Sequence, residues 1–318
     1  MGNLFDILII KNIKKGGLIM KFFLRIVLFI CMIQSFLFSQ QDDHITTIFC
    51  HGICGDSKQV NYYKDQILEP YKSVSFADTQ KPTGINLNSL IYYICKKKFN
   101  RKNINRKKMF VSYGKDIETV KNEINPDESY ILYGFSRGGA TIINYIAQYN
   151  PENIRALVLD ETPADFLDVV ERLIFTNKKG VVTPSTPIQR EQWLRFLCPL
   201  FPKGAKPPIK NITGIKNKDV PIFLIYAKKA TLFHFPSSSL KNYIAFKRAG
   251  FKNVYLCEVQ EHAQKAKGDD KKLYIQSLHS FYKKYDLPYN PEHAILTQDE
   301  LDELQPSIKE ICKRLHDC

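Results

Sequence analysis

From Ile45 onward, six short apolar runs alternate with segments of helical period, and nothing else in the 318-residue chain restricts its fold as strongly. The runs are Ile45 to Cys50, Ser73 to Ala77, Tyr130 to Tyr133, Arg155 to Leu159, Ile222 to Tyr226 and Asn253 to Val259. Each is rich in Ile, Val, Leu, Phe or Tyr, and none alternates strictly between apolar and polar residues, which is the pattern of strands covered on both faces. Between them, "GGATIINYIAQY" and "SLKNYIAFKRAG" carry apolar residues at helical spacing, and Gly250 closes the second where a left-handed cap falls. Strands alternating with helices build a mostly parallel sheet with helices on both faces, the α/β class. With 44% hydrophobic and 25% charged residues, the chain is rich enough to bury one sizeable core. No repeat or low-complexity linker divides residues 40–318, so a single domain is expected there.

The N-terminus reads differently. From Met20, Lys21 and Arg25 flank the start of an apolar run, Ile26 to Phe38, which ends at the small residue Ser39. That order describes a secretory signal peptide over residues 20–39, and the run is short for a membrane span; an uncleaved anchor is the alternative. Residues 1–19 are expected to be an upstream extension from a start codon set too early. Their end, "KKGGLIM", is encodable by a purine-rich ribosome-binding sequence, which points to a bacterial source. The expected location is the periplasm or the exterior, where disulfides form. Of eight cysteines, Cys31 falls in the leader, so an odd number remains and one thiol has no partner within the chain. Cys50 with Cys54 is one candidate bridge, and Cys312 with Cys318 the more accessible one. No CxxC pair or His/Cys cluster suggests a metal.

Two stretches interrupt the strand–helix rhythm. Residues 94–108 carry Lys96, Lys97, Lys98, Arg101, Lys102, Arg106, Lys107 and Lys108, a basic insertion that reads as a solvated surface or as a weak contact for anionic surfaces. The formal charge of +14 is mostly excess lysine, and no specific nucleic-acid binding is inferred from it. The second stretch, 164–219, holds the amphipathic "DFLDVVERLIF" and the only tryptophan, Trp193. It is expected to form a cap, with Phe166, Val169, Val170, Leu173 and Trp193 on its apolar side; a buried excursion is the alternative.

The run Tyr130 to Tyr133 ends abruptly in Gly134-Phe135-Ser136-Arg137-Gly138, followed by a helical segment. On a sharp strand-to-helix turn, Ser136 is held strained with its hydroxyl outward, and side chains at Gly134 and Gly138 would collide with the neighbouring strand and helix. This G-x-S-x-G in its strand–turn–helix context resembles the nucleophile elbow of the alpha/beta-hydrolase family. Upstream, "TTIFCHGICGDS" is similar to the family's strand ending in His-Gly, marked here by His51 and Gly52. The resemblance implies an oxyanion hole built from the backbone N–H groups of Ile53 and Arg137. It implies His262, in the loop after the last strand, as the base, with His234 as runner-up, and no organic or metal cofactor.

The chain departs from the family in two places. With the leader removed near Ser39, the mature protein is expected to begin only a few residues before the His51 strand, so the sheet is expected to be shortened to about six strands. Ala230 stands where the family often keeps its acid, so the acid is missing or moved. Asp160, 24 residues after Ser136 at the end of the next strand, is the expected substitute, with Glu161 as competitor. Adjacent residues of an extended chain point to opposite sides, so only one of the two is expected to face the base. Two functions follow. One is a secreted serine hydrolase cleaving a small-molecule or lipid carboxylic ester or thioester through an acyl-enzyme. The other is a catalytically inactive hydrolase fold that serves as a binding protein.

Overall fold

Six strands pair in the order β2-β1-β3-β4-β5-β6, every neighbouring pair parallel. They are β1 (Ile45–Cys50), β2 (Tyr71–Val74), β3 (Ser129–Phe135), β4 (Ile154–Asp160), β5 (Ile222–Ala227) and β6 (Val254–Val259). The computed structural model describes residues 44–52, 57–76, 112–165, 207–228, 236–260 and 266–315. The chain divides after His44, and all of the architecture below belongs to the unit Ile45–Cys318. The leader, residues 1–19 and 20–39, and the basic insertion lie outside the described residues.

The inner runs became strands because both of their faces are covered, with β1 and β5 buried at every position, while the edge strand β2 is buried only at Val74. One face packs on α1 (Ser112–Glu123), α2 (Arg137–Tyr149), α3 (Pro236–Arg248) and α6 (Ile308–Leu315), through Val120, Ile142, Ile143, Tyr243, Phe246 and Ile311. The other packs on a 3-10 helix (Ser57–Tyr63), α4 (Gly268–Lys284) and α5 (Gln298–Glu303), through Tyr63, Tyr274, Leu278, Phe281 and Leu301. Gly250 closes the turn after α3 with φ 89°, the left-handed conformation expected of it.

Two expectations need correction. The second strand is Tyr71–Val74, not Ser73 to Ala77: its pairing with β1 begins at Thr47 opposite Tyr71, because a residue's place in the ladder and not its hydropathy alone decides the boundary. Cys50 is a free thiol buried in the sheet and does not bridge to Cys54. Cys312 is disulfide-bonded, and its partner is a cysteine outside the described residues.

Of the expected cap, residues 166–206 lie outside the described residues. Its flanks belong to the main layer: Ala164 accepts from the Ile209 N–H at 3.2 Å, and Ile212 and Ile215 join the core on the α2 face.

β6 is an edge strand, and side chains cover one N–H on its outer side and the N–H that follows it. Leu256 donates to Gln305 Oε1 at 2.6 Å, and Gln260 to the Asp270 carboxylate at 2.8 and 3.0 Å. Covered edges resist pairing with a second molecule. Gln305→Ala is therefore expected to lower stability by about 1 kcal/mol and to promote self-association, read by urea unfolding and light scattering; unchanged association would show that the edge is protected by something else.

Candidate active site

β1 sits between β2 and β3, and the chain leaves it toward β2 but leaves β3 toward β4. Where connections diverge in this way, a crevice opens at the carboxyl ends of the strands. Gly52 follows β1 and Ser136 follows β3 at that crevice.

Ser136 has φ 49° and ψ −113°, a backbone conformation that costs about 1–3 kcal/mol for a residue with a side chain. A serine heading a helix ordinarily caps it by accepting from an N–H of the first turn. Ser136 makes no such bond to α2, so its hydroxyl is not committed to the cap. Its backbone is fixed on both sides: its N–H donates to the Asp160 carbonyl at 2.8 Å, and its carbonyl accepts from Ala140 at 3.2 Å.

The flanking glycines are steric necessities. A Cβ on Gly138 would lie 1.9 Å from the Cys50 carbonyl oxygen, and one on Gly134 2.5 Å from the Gly139 Cα. Either would force α2 off the ends of β1 and β3. On Gly52 a Cβ would meet the Phe135 ring at 2.6 Å and lie 3.4 Å from the Ser136 Cβ. The turn after β1 thus lies directly against the serine.

Gly52 donates its own N–H to Gln59 Oε1 at 2.8 Å, which withdraws it as an oxyanion donor. Ile53, the expected donor, lies outside the described residues. Arg137 is the first residue of α2, a position whose N–H points out of the helix end rather than into its ladder. His51 is fully buried and structural: its Nε2 accepts from the Phe76 N–H at 3.2 Å, so Nδ1 carries the proton donated to the Gly52 carbonyl at 2.8 Å.

Sequence reasoning missed Asp116. It reaches from α1 to the Arg137 guanidinium with Nε–Oδ2 2.7 Å and Nη2–Oδ1 2.8 Å, both residues buried. Nothing in the local sequence "SYGKDIETV" distinguishes this aspartate from an exposed helix charge.

Asp160 and Glu161 end β4 beside the serine, with Asp160 opposite Phe135 in the ladder. The alternation expected of an extended chain stops here, since Glu161 has φ 46°. Both carboxyls act on the same buried hydroxyl, Tyr63, and Glu161 acts on Asp160. Asp160 is wholly buried, and neither of its oxygens meets a hydrogen-bond partner among the described residues. The Tyr63 hydroxyl lies near it without hydrogen-bond geometry. Burial, then the adjacent Glu161, holds Asp160 well above the usual carboxylate range, and burial pushes Glu161 up to about 8. Around them, Tyr133 and Tyr274 share a hydrogen bond, and both are pushed far up, chiefly by burial.

His262, His234 and Ala230 lie outside the described residues. His279 is held in α4, with Nδ1 accepting from Asn290 at 3.1 Å and Nε2 donating to the Asp65 carbonyl at 2.9 Å; both nitrogens are engaged in structure.

The family model for the alpha/beta hydrolase fold matches residues 100–183, a span that includes the elbow. No curated protein sequence matches the chain. Among solved structures, it is similar to an esterase of Pyrococcus furiosus at 18% identity, covering 76% of this chain and 83% of that one, with a TM-score of 0.47. It is similar to an esterase from Exiguobacterium antarcticum at 14% identity, covering 76% and 92%, with a TM-score of 0.42. A bacterial membrane phospholipase A is similar at 15% identity, covering 77% and 81%, with a TM-score of 0.46.

A pH dependence follows from Glu161. The folded chain keeps this proton up to about 8, whereas an unfolded chain releases it near its ordinary value of 4.5. Below 4.5 both states are protonated and the stability is intact; as pH rises toward about 8 the unfolded state gains, by up to about 1.4 kcal/mol per pH unit. Urea unfolding between these limits should show a stability loss that is shallower in Glu161→Gln; an identical slope in the variant would exclude Glu161 as its source.

Proposed function

We propose that this chain, a member of the alpha/beta-hydrolase family, is an exported serine hydrolase that cleaves a carboxylic ester or thioester through an acyl-enzyme on Ser136. The observation that carries this reading is the strained Ser136, whose hydroxyl is withheld from capping α2 while its backbone is pinned between β4 and the first helical turn. A structural serine at a helix start has no reason to bear that strain. Disulfide bonding at Cys312 supports an exported location.

In the first half-reaction His262 takes the proton of Ser136 as its Oγ attacks the acyl carbon, and the carbonyl π electrons move onto oxygen. The N–H groups of Ile53 and Arg137 stabilise that oxyanion; losing one such donor costs about 100- to 1,000-fold. The tetrahedral intermediate collapses, the imidazolium gives its proton to the departing alkoxide or thiolate, and the acyl group stays on Ser136. Water, deprotonated by the same histidine, repeats the sequence and releases the acid.

The base needs a carboxylate to hold its tautomer and to stabilise the imidazolium. Asp160 supplies it, with Glu161 as the competitor. Burial opposes ionisation of the pair, and a positive charge on His262 would offset that penalty and stabilise the carboxylate form.

Treating the purified chain with a fluorophosphonate and mapping the adduct by mass spectrometry tests the nucleophile: labelling of Ser136, absent in Ser136→Ala, is expected. No adduct on Ser136 would favour the inactive binding fold. A panel of p-nitrophenyl esters of increasing chain length then identifies the acyl preference. With the best of them, Asp160→Asn is expected to lose about 10⁴-fold in turnover and Glu161→Gln far less. The reverse result would make Glu161 the acid, and full turnover in both would leave a Ser–His dyad.

A further inference from the structure

We infer that Asp116, Arg137, Phe76 and His51 form one buried clamp that fixes the first residue of α2, directly after Ser136, relative to the His51–Gly52 turn, with Asp116 and Phe76 as positioning residues. The inference rests on Ser136 being the nucleophile. Four contacts carry it. The Arg137 side chain leaves the first turn of α2 and is gripped in two places by Asp116 of α1, with Nε–Oδ2 2.7 Å and Nη2–Oδ1 2.8 Å. Its guanidinium lies over the Phe76 ring, 5.0 Å from the centroid. The Phe76 ring packs on the His51 imidazole with centroids 4.7 Å apart. The Phe76 N–H donates to His51 Nε2, whose Nδ1–H in turn holds the Gly52 carbonyl.

The path therefore runs from α1 to the residue after the nucleophile, across the segment following β2, and into the turn after β1. All four residues are buried, none more than 5% exposed. Such a pair is a poor source of stability, because apolar residues of matching volume would fill the same space without two buried charges. What the fork gives, and an apolar pair cannot, is direction: a planar guanidinium locked at two points and stacked on a ring has one orientation. That orientation fixes α2's first residue relative to the His51–Gly52 turn. Displacing a reacting geometry by about 1 Å costs about 100-fold in rate.

The test uses the full chain and p-nitrophenyl acetate. Asp116→Leu combined with Arg137→Met keeps volume and removes both buried charges together, so the chain folds. Its kcat is expected to fall about 100-fold with KM within about twofold, because the Arg137 N–H remains but the start of α2 is misplaced relative to the His51–Gly52 turn. Arg137→Lys, which keeps the charge but not the fork, should fall between. A wild-type kcat in the double variant would overturn the inference. A second measurement does not depend on turnover: thermal midpoints of Phe76→Leu, of the Asp116/Arg137 double variant, and of the triple variant. A triple shift smaller than the sum of the other two supports a single coupled clamp, and strict additivity overturns it. If the wild type neither hydrolyses esters nor takes up a fluorophosphonate, the reading of Ser136 fails while the midpoints still decide the clamp.

Discussion

The closeness of α2 to the ends of β1 and β3 is the constraint on which everything else depends. The Gly138 Cα packs where any larger residue would place carbon 1.9 Å from the Cys50 carbonyl oxygen. Only that approach lets a helix start immediately after Phe135, and only an immediate start forces Ser136 into its strained turn. The same approach sets the turn after β1 against the serine, because Gly52 lies within contact of both Phe135 and Ser136. A chain with alanine at these positions would have to lengthen the turn, and the hydroxyl would then relax into an ordinary cap.

The architecture was largely legible because it rests on local patterns. Strands covered on both faces leave uninterrupted apolar runs, and six of them announced a six-stranded sheet. The elbow was legible for a related reason, since glycine spacing around Ser136 reports collisions that any chain making this turn must avoid. Boundaries were less so: β2 starts two residues earlier than its hydropathy suggests because its register is set by β1, a partner distant in sequence. The acid region was the least legible. Alternation predicts that Asp160 and Glu161 face apart, but a left-handed Glu161 brings them together, and nothing in "LDETPA" marks that φ. Asp116 was invisible for the same physical reason, because its role exists only through a contact made in three dimensions.

The carboxyl pair and the salt bridge show two solutions to one problem, charge in a dry interior. Asp116 is neutralised by an adjacent guanidinium in a geometry that satisfies both of its oxygens. Asp160 has no such cation among the described residues, and burial holds it above the ordinary carboxylate range among tyrosine hydroxyls. The first arrangement keeps its charge by pairing it, and the second meets burial by disfavouring the charge.

An all-parallel sheet also determines when such a site comes into being. β1 and β3 are neighbours in the ladder, yet the whole segment 51–128 separates them in the chain. Every parallel pairing of this kind closes a long loop before any contact rewards it, which makes such topologies slow to fold and lengthens the time that apolar strands stand exposed. Gly52 and Ser136 meet only after that closure. Assembly of the contact between Gly52 and Ser136 is thus a late event, and its appearance during refolding would time the docking of β1 on β3 rather than the earlier formation of helices.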